Sequence, residues 1–184
     1  MKRLFSTCLM IGLLTCTAGA AQVGTIRNDY PGDTEAQAQM LYDIGLFRGT
    51  EKGFELDKPM TRAEAAAMLT RLLGAEKTAK ADRRSCGWAG IPSWARSAVN
   101  YCAFHDLIDW SEYRAGGALD AELWCAMLLR ALGCGSELGS SAARTALRIG
   151  LISRPLEGTL TRGDLFVAEA DGRVAAAAVL NQIQ

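Results

Sequence analysis

The sequence predicts an all-α protein made of three copies of one helix–loop–helix unit. Three observations carry this prediction. A capped helix start recurs at Thr61-Arg62-Ala63-Glu64, at Asp120-Ala121-Glu122-Leu123 and at Thr161-Arg162-Gly163-Asp164. A turn followed by two apolar residues recurs upstream of each start, as Gly45-Leu46-Phe47, Asp106-Leu107-Ile108 and Gly150-Leu151-Ile152. Hydrophobic residues make up 49 % of the chain but aromatic ones only 7 %, a composition rich in Ala, Leu and Gly that favours packed helices over a sheet. Repeats of this size cannot each bury an apolar face alone, so the copies have to pack on one another. Three copies suit either a closed pseudo-threefold bundle or a short solenoid.

The first twenty residues read as an export leader. Lys2 and Arg3 precede an apolar run to Thr17, and Ala18-Gly19-Ala20 supplies small residues for cleavage. The run is short for a membrane span. Cys16 supports a competing lipoprotein reading, which Thr15 just before it disfavours. Residues 21–32 are a polar lead-in.

Copy one spans 33–74. Thr34 opens its first helix with Gln37 three residues on, and Ala36, Met40 and Ile44 share a face with Leu41 beside it. Gly45 ends the helix, and Phe54 anchors the loop 48–59. The second helix is predicted over 61–73. The Thr61 hydroxyl accepts a first-turn amide while Glu64 reaches back to the Thr61 amide. Ala65, Met68, Leu69 and Leu72 then form one stripe, and Gly74 stops the helix. Residues 75–87, with Lys77, Lys80, Asp82, Arg83 and Arg84, read as a solvated connector. The charged run is short and lacks interleaved aromatics, so it does not read as a nucleic-acid patch. Formal net charge is zero, which also argues against a nucleic-acid partner.

Copy two spans 88–134. Ser93 is a cap for a helix carrying Trp94, Ala98, Tyr101 and Cys102 on one face. After Leu107-Ile108 and a loop with Tyr113, Asp120 takes the N-cap place of Thr61. Ala121 stands where copy one has Arg62, and Leu123 where it has Glu64. Met127, Leu128 and Arg130 match Met68, Leu69 and Arg71, and Gly133 matches Gly74. Copy three, 135–184, opens at Ser140 or Ser141 and continues through Ala142, Ala146 and Ile149. Its loop is shorter, and its last helix runs past Ala168 and Val174 to fade by Asn181.

Behind the leader stand four cysteines, Cys86, Cys102, Cys125 and Cys134. An even count in an exported chain points to disulfides, with three pairings to choose from. Cys125 and Cys134 sit at opposite ends of one helix, roughly 13 Å apart, too far to bridge. Cys102 with Cys125 is the favoured pair, since both lie on helices of copy two. No metal site is expected: there is no C-x-x-C pair and His105 is the only histidine. His105-Asp106 looks like half a catalytic pair, but no nucleophile elbow accompanies it and no enzyme activity is expected.

The Thr61-Arg62-Ala63-Glu64 motif, preceded by Gly45-Leu46 and Phe54, resembles the S-layer homology repeat. So does Ile91-Pro92-Ser93-Trp94-Ala95 ahead of the second copy's first helix. The resemblance covers about residues 30 to 180. It departs from the pattern at Ala121 and Leu123 and in the short third loop. It implies a three-pronged spindle around a central helix bundle that holds a protein non-covalently on the bacterial cell wall. The implied ligand is a secondary cell-wall polysaccharide, often a pyruvylated amino sugar, bound in grooves between prongs with help from the motif arginine. No cofactor is implied.

Physical chemistry supports such a site. A helix N-terminus offers N–H groups and partial positive charge, and an arginine at the first helical position adds a fork suited to a carboxylate. Thr61, Arg62 and Glu64 are therefore candidate glycan-binding residues, as are Thr161, Arg162 and Asp164. Copy two lacks the arginine, so two competent grooves are the most to be expected. A Thr-x-x-Glu box needs no ligand, however. Trp88 is a candidate for stacking on a sugar ring, whereas Trp94 on an apolar helix face and Trp124 read as core. The alternative is an exported interaction module: a degenerate scaffold of this kind that binds another envelope protein and no glycan.

Overall fold

The computed structural model describes residues 34–113, 117–152 and 154–165. The expected leader, the lead-in, Cys16 and the expected continuation of the last helix lie outside them. Six α-helices are described: α1 (Thr34–Asp43), α2 (Arg62–Leu72), α3 (Glu76–Ala81), α4 (Arg96–Phe104), α5 (Ala121–Ala131) and α6 (Ala142–Arg148). A further helical turn covers 162–165. Among the described residues there are isolated antiparallel bridges but no strand, so the architecture is helical, as expected. No described helix is long and apolar enough to cross a membrane.

The helix ends follow the local chemistry of the sequence. Thr61 caps α2 with a full capping box, Asp120 accepts the Leu123 amide at the start of α5, and Ser141 accepts the Arg144 amide at the start of α6. Past the first helix of each copy the chain turns through a left-handed residue: Gly45 at φ +77°, Asp106 at +55° and Gly150 at +76°. The following amide then bonds back five residues, Leu46 to Leu41, Leu107 to Cys102 and Leu151 to Ala146, at 3.0, 2.9 and 2.8 Å. Phe47, Ile108 and Ile152 are delivered into the core in the same way.

Four local expectations are corrected. Ile44 is 52 % exposed, because α1 stops at Asp43; its buried residues are Ala38 and Leu41. Ser93 makes no side-chain cap. It begins a 3-10 turn, Ser93–Ala95, that leads into α4. With three residues per turn instead of 3.6, that segment turns Trp94 off the apolar face and leaves it 59 % exposed. The connector contains α3, which packs on α4 through the buried Ala79.

The second helix of each of the first two copies packs on the first helix of the next, α2 on α4 and α5 on α6. The loops ahead of the helix starts are tied to one another. Met60 N–H donates to Leu160 O (2.9 Å), Leu160 N–H to Leu119 O (2.9 Å) and Leu119 N–H to Met60 O (2.7 Å), which closes a cycle. A second cycle lies beside it. The first helical amide of each copy, Arg62, Ala121 and Arg162, donates to Gly117, Gly158 and Lys58 respectively, at 3.2, 2.9 and 2.9 Å. Met60, Leu119 and Leu160 are buried, so these bonds satisfy backbone groups that water cannot reach. Each helix start is thereby fixed against the loop of another copy.

Candidate functional site

The two boxes that the sequence singled out form as expected. The Thr61 amide and hydroxyl both donate to Glu64 Oε2, at 2.9 and 2.8 Å, and the Glu64 amide donates to Thr61 Oγ1 at 3.2 Å. Asp164 does the same with its shorter side chain. The Thr161 amide and hydroxyl donate to Asp164 Oδ2 at 2.9 and 2.8 Å. Both boxes are therefore closed within the protein. The amides of Arg62 and Arg162 are used in the second cycle, so these helix starts do not offer the open rows of N–H groups that an anion site would need.

The two arginines reach out of their own copies. Arg162 is only 4 % exposed. Its Nε donates to Phe54 O (2.9 Å), one Nη to Glu64 Oε1 (2.8 Å) and the other to Arg48 O (2.9 Å), while its guanidinium lies 4.8 Å over the Phe47 ring. It pins the loop of copy one. Arg62 does the corresponding work in copy two. Its Nε donates to Ala118 O at 3.1 Å, an Nη donates to the Glu112 carbonyl, and Asp120 lies 3.6 Å away. The place equivalent to these arginines in copy two is Ala121, beside the short loop of copy three. Both guanidiniums line inter-copy clefts, but as internal clamps whose donors are engaged.

Two clefts follow from the helix pairs. The first, about 340 Å³, lies between α2 and α4. Arg48, Arg71, Lys80 and Arg162 line it with Glu64, Glu76, Thr50, Ser97 and Trp94. The second, about 450 Å³, lies between α5 and α6 and holds Arg62, Arg130, Glu112, Asp120, Glu122 and Ser141.

Their electrostatics differ. In the second cleft Arg130 is held by both oxygens of Glu112, each at 2.7 Å, and that pair raises the Arg130 pKa. Glu122 reaches across to cap α6, accepting from the Ser141 hydroxyl (2.5 Å) and the Ala142 and Ala143 amides (2.7 and 3.2 Å). The cations there have acids of their own, and the acids outnumber them.

In the first cleft Arg71, the counterpart of Arg130, has no such partner. Its Nε is buried without a hydrogen bond, and its nearest carboxylate is Glu76 at 3.8 Å. Burial first, then the neighbouring Arg48 charge, push its pKa down, against the pull of Glu76. With Arg162 matched by Glu64, the cations Arg48, Arg71 and Lys80 share Glu76 alone among the carboxylates lining this cleft. The first cleft thus carries unbalanced positive charge beside an exposed indole.

The remaining candidates fall elsewhere. Trp88 is partly buried in an aromatic cluster, its ring stacked on Tyr113 at 5.3 Å with Trp110 at 5.6 Å, so that face is taken. Trp124 is buried, as expected. The proposed Cys102–Cys125 bridge is not formed, and all four described cysteines are free. Cys102 is committed to the joint between copies instead, with its sulfur 3.7 Å from Ala66 O and 3.8 Å from Thr70 Oγ1. Burial pushes the thiols of Cys102 and Cys125 up to about 12. Among the described residues no group of His, Cys, Asp and Glu is arranged to hold a metal.

Arg48, Arg71, Lys80 and Glu76 were not singled out as site residues from the sequence. The match of Arg71 to Arg130 across two copies was the available signal. No protein-family model matches the chain, and no curated protein matches it.

Proposed function

We propose that this protein is an exported cell-wall glycan-binding module. In this reading its three repeats are S-layer-homology-like and stand about a pseudo-threefold axis, and an anionic sugar of a secondary wall polymer is held in the cleft between copies one and two. The two hydrogen-bonded cycles support the threefold part, because each passes once through every copy before closing. The observation that carries the binding part is the charge imbalance of the first cleft, with Arg71 Nε buried and without a hydrogen bond. A carboxylate on a sugar would supply the missing acceptor, and Trp94 offers its exposed face to the ring. Thr61, Glu64, Thr161, Arg162 and Asp164 then act as positioning residues: they fix the helix starts and hold the loop that carries Arg48.

Co-sedimentation with wall sacculi tests this. The purified protein should pellet with intact sacculi and stay in solution with sacculi stripped of their secondary polymer. The double variant Arg48→Ala/Lys80→Ala changes two well-exposed side chains and should lose the pellet while keeping its fold. Equal pelleting of the variant, or pelleting that ignores the polymer, would overturn the reading.

The engagement of both motif arginines inside the protein favours a second reading, in which the scaffold pairs with another envelope protein. A specific protein partner recovered from envelope extract, together with absent sacculus binding, would decide for it.

A further inference from the structure

The cations of the first cleft converge on one carboxylate oxygen. Glu76 Oε1 lies 3.3 Å from Arg48 Nη2, 3.3 Å from Lys80 Nζ and 3.8 Å from Arg71 Nε. Glu76 is the first residue of α3, in the segment that joins copy one to copy two, and α3 starts with no side-chain cap. Its side chain retains 35 % of its exposure, so it has room to turn outward without disturbing the core.

We propose that Glu76 is a built-in competitor for the anionic ligand of this cleft. Its carboxylate occupies the point on which Arg48, Lys80 and Arg71 converge until a sugar-borne carboxylate replaces it. The inference rests on the glycan-binding reading and adds to it a residue that sets affinity and charge selectivity. The physical ground is that two carboxylates cannot share the one point where the three cations converge: the ligand's oxygen and Glu76 Oε1 would compete for the same place, and like charges that close repel. Burial alone would raise the Glu76 pKa. The Lys80 hydrogen bond and the charges of Arg48, Lys80 and Arg71 outweigh burial and hold it below its ordinary value, so it stands as an anion. A ligand must therefore displace an ionised group. A neutral sugar gains nothing by doing so.

The test is calorimetric titration of the full protein and its Glu76→Gln and Glu76→Ala variants at low salt. The probes are a methyl glycoside bearing a pyruvyl ketal and the same glycoside without the acid. Three partly screened ion pairs are removed, so both variants should bind the acidic probe about tenfold more tightly than the parent. The neutral probe should not distinguish parent from variant. Acidic-probe binding by the variants alone would also support the inference. If the parent binds the acidic probe and the variants bind it equally or more weakly, Glu76 is not a competitor and the glycan reading stands. A gain that extends to the neutral probe overturns the inference too. If no form binds the acidic probe, the reading of the cleft falls together with the inference.

Discussion

Replacing Arg162 with alanine should destabilise the protein substantially, although Arg162 lies at the edge of a candidate binding cleft. The side chain is buried and makes three hydrogen bonds of 2.8–2.9 Å, one of them to the Glu64 carboxylate. Hydrogen bonds to charged groups contribute about 1.5–3 kcal/mol each, and breaking a buried pair costs about 3–5 kcal/mol. Glu64 keeps some contact with water and can recover part of that, so the net loss should be about 3–4 kcal/mol. Against a total of roughly 5–15 kcal/mol this is a large fraction. The melting temperature should fall by about 6–16 °C. Urea and thermal unfolding followed by circular dichroism measure both. Arg162→Lys keeps the charge but cannot fork to two carbonyls and a carboxylate, so it should recover less than half of the loss. An Arg162→Ala protein within about 0.5 kcal/mol of the parent would refute the clamp argument.

Two further outcomes follow from the helix ends. Glu122→Ala should cost about 1–2 kcal/mol and speed amide exchange at Ala142 and Ala143, whose N–H groups Glu122 accepts. Burial raises the Glu122 pKa, but the Ser141 hydroxyl, the two amides and Arg144 outweigh it and lower the pKa overall. Its contribution is therefore complete above the unfolded carboxylate pKa, about 4.3, and is lost as pH falls through the lower folded value. Exchange measured from pH 6 to 3 should show that loss in the parent and not in the variant; identical profiles would sink the idea. Asp106→Gly should gain about 0.5–1 kcal/mol, because φ +55° strains a side-chain-bearing residue more than it strains glycine. A loss of stability in chemical denaturation would show that the Asp106 side chain matters more than its backbone.

Local chemistry acting within a few residues was legible at most helix ends, the expected Ser93 cap excepted. The Thr61–Glu64 and Thr161–Asp164 boxes, the Asp120 cap and the Gly45–Asp106–Gly150 turns are all set by neighbours in the chain. The destinations of Arg62 and Arg162 were not legible. Each guanidinium enters another copy's loop, a register set by the backbone cycles through Met60, Leu119 and Leu160. Trp94 misled because periodicity assumes 3.6 residues per turn, and the segment carrying it is wound more tightly. Glu76 and Lys80 looked like solvated charges. They face the first cleft because α3 folds back on α4, a contact that no short sequence window contains. Cys102 was matched to Cys125 by membership of one copy, but its sulfur serves the joint with the preceding copy.

The exchange of arginines also fixes where this scaffold can be edited. The guest side chain and the loop that receives it belong to different copies, so the smallest interchangeable piece is a joint: one helix start together with the loop it enters. Installing an arginine at Ala121 would strand a buried cation against the short loop 152–161. The same substitution made together with a loop as long as 47–61 would give that cation its carbonyls.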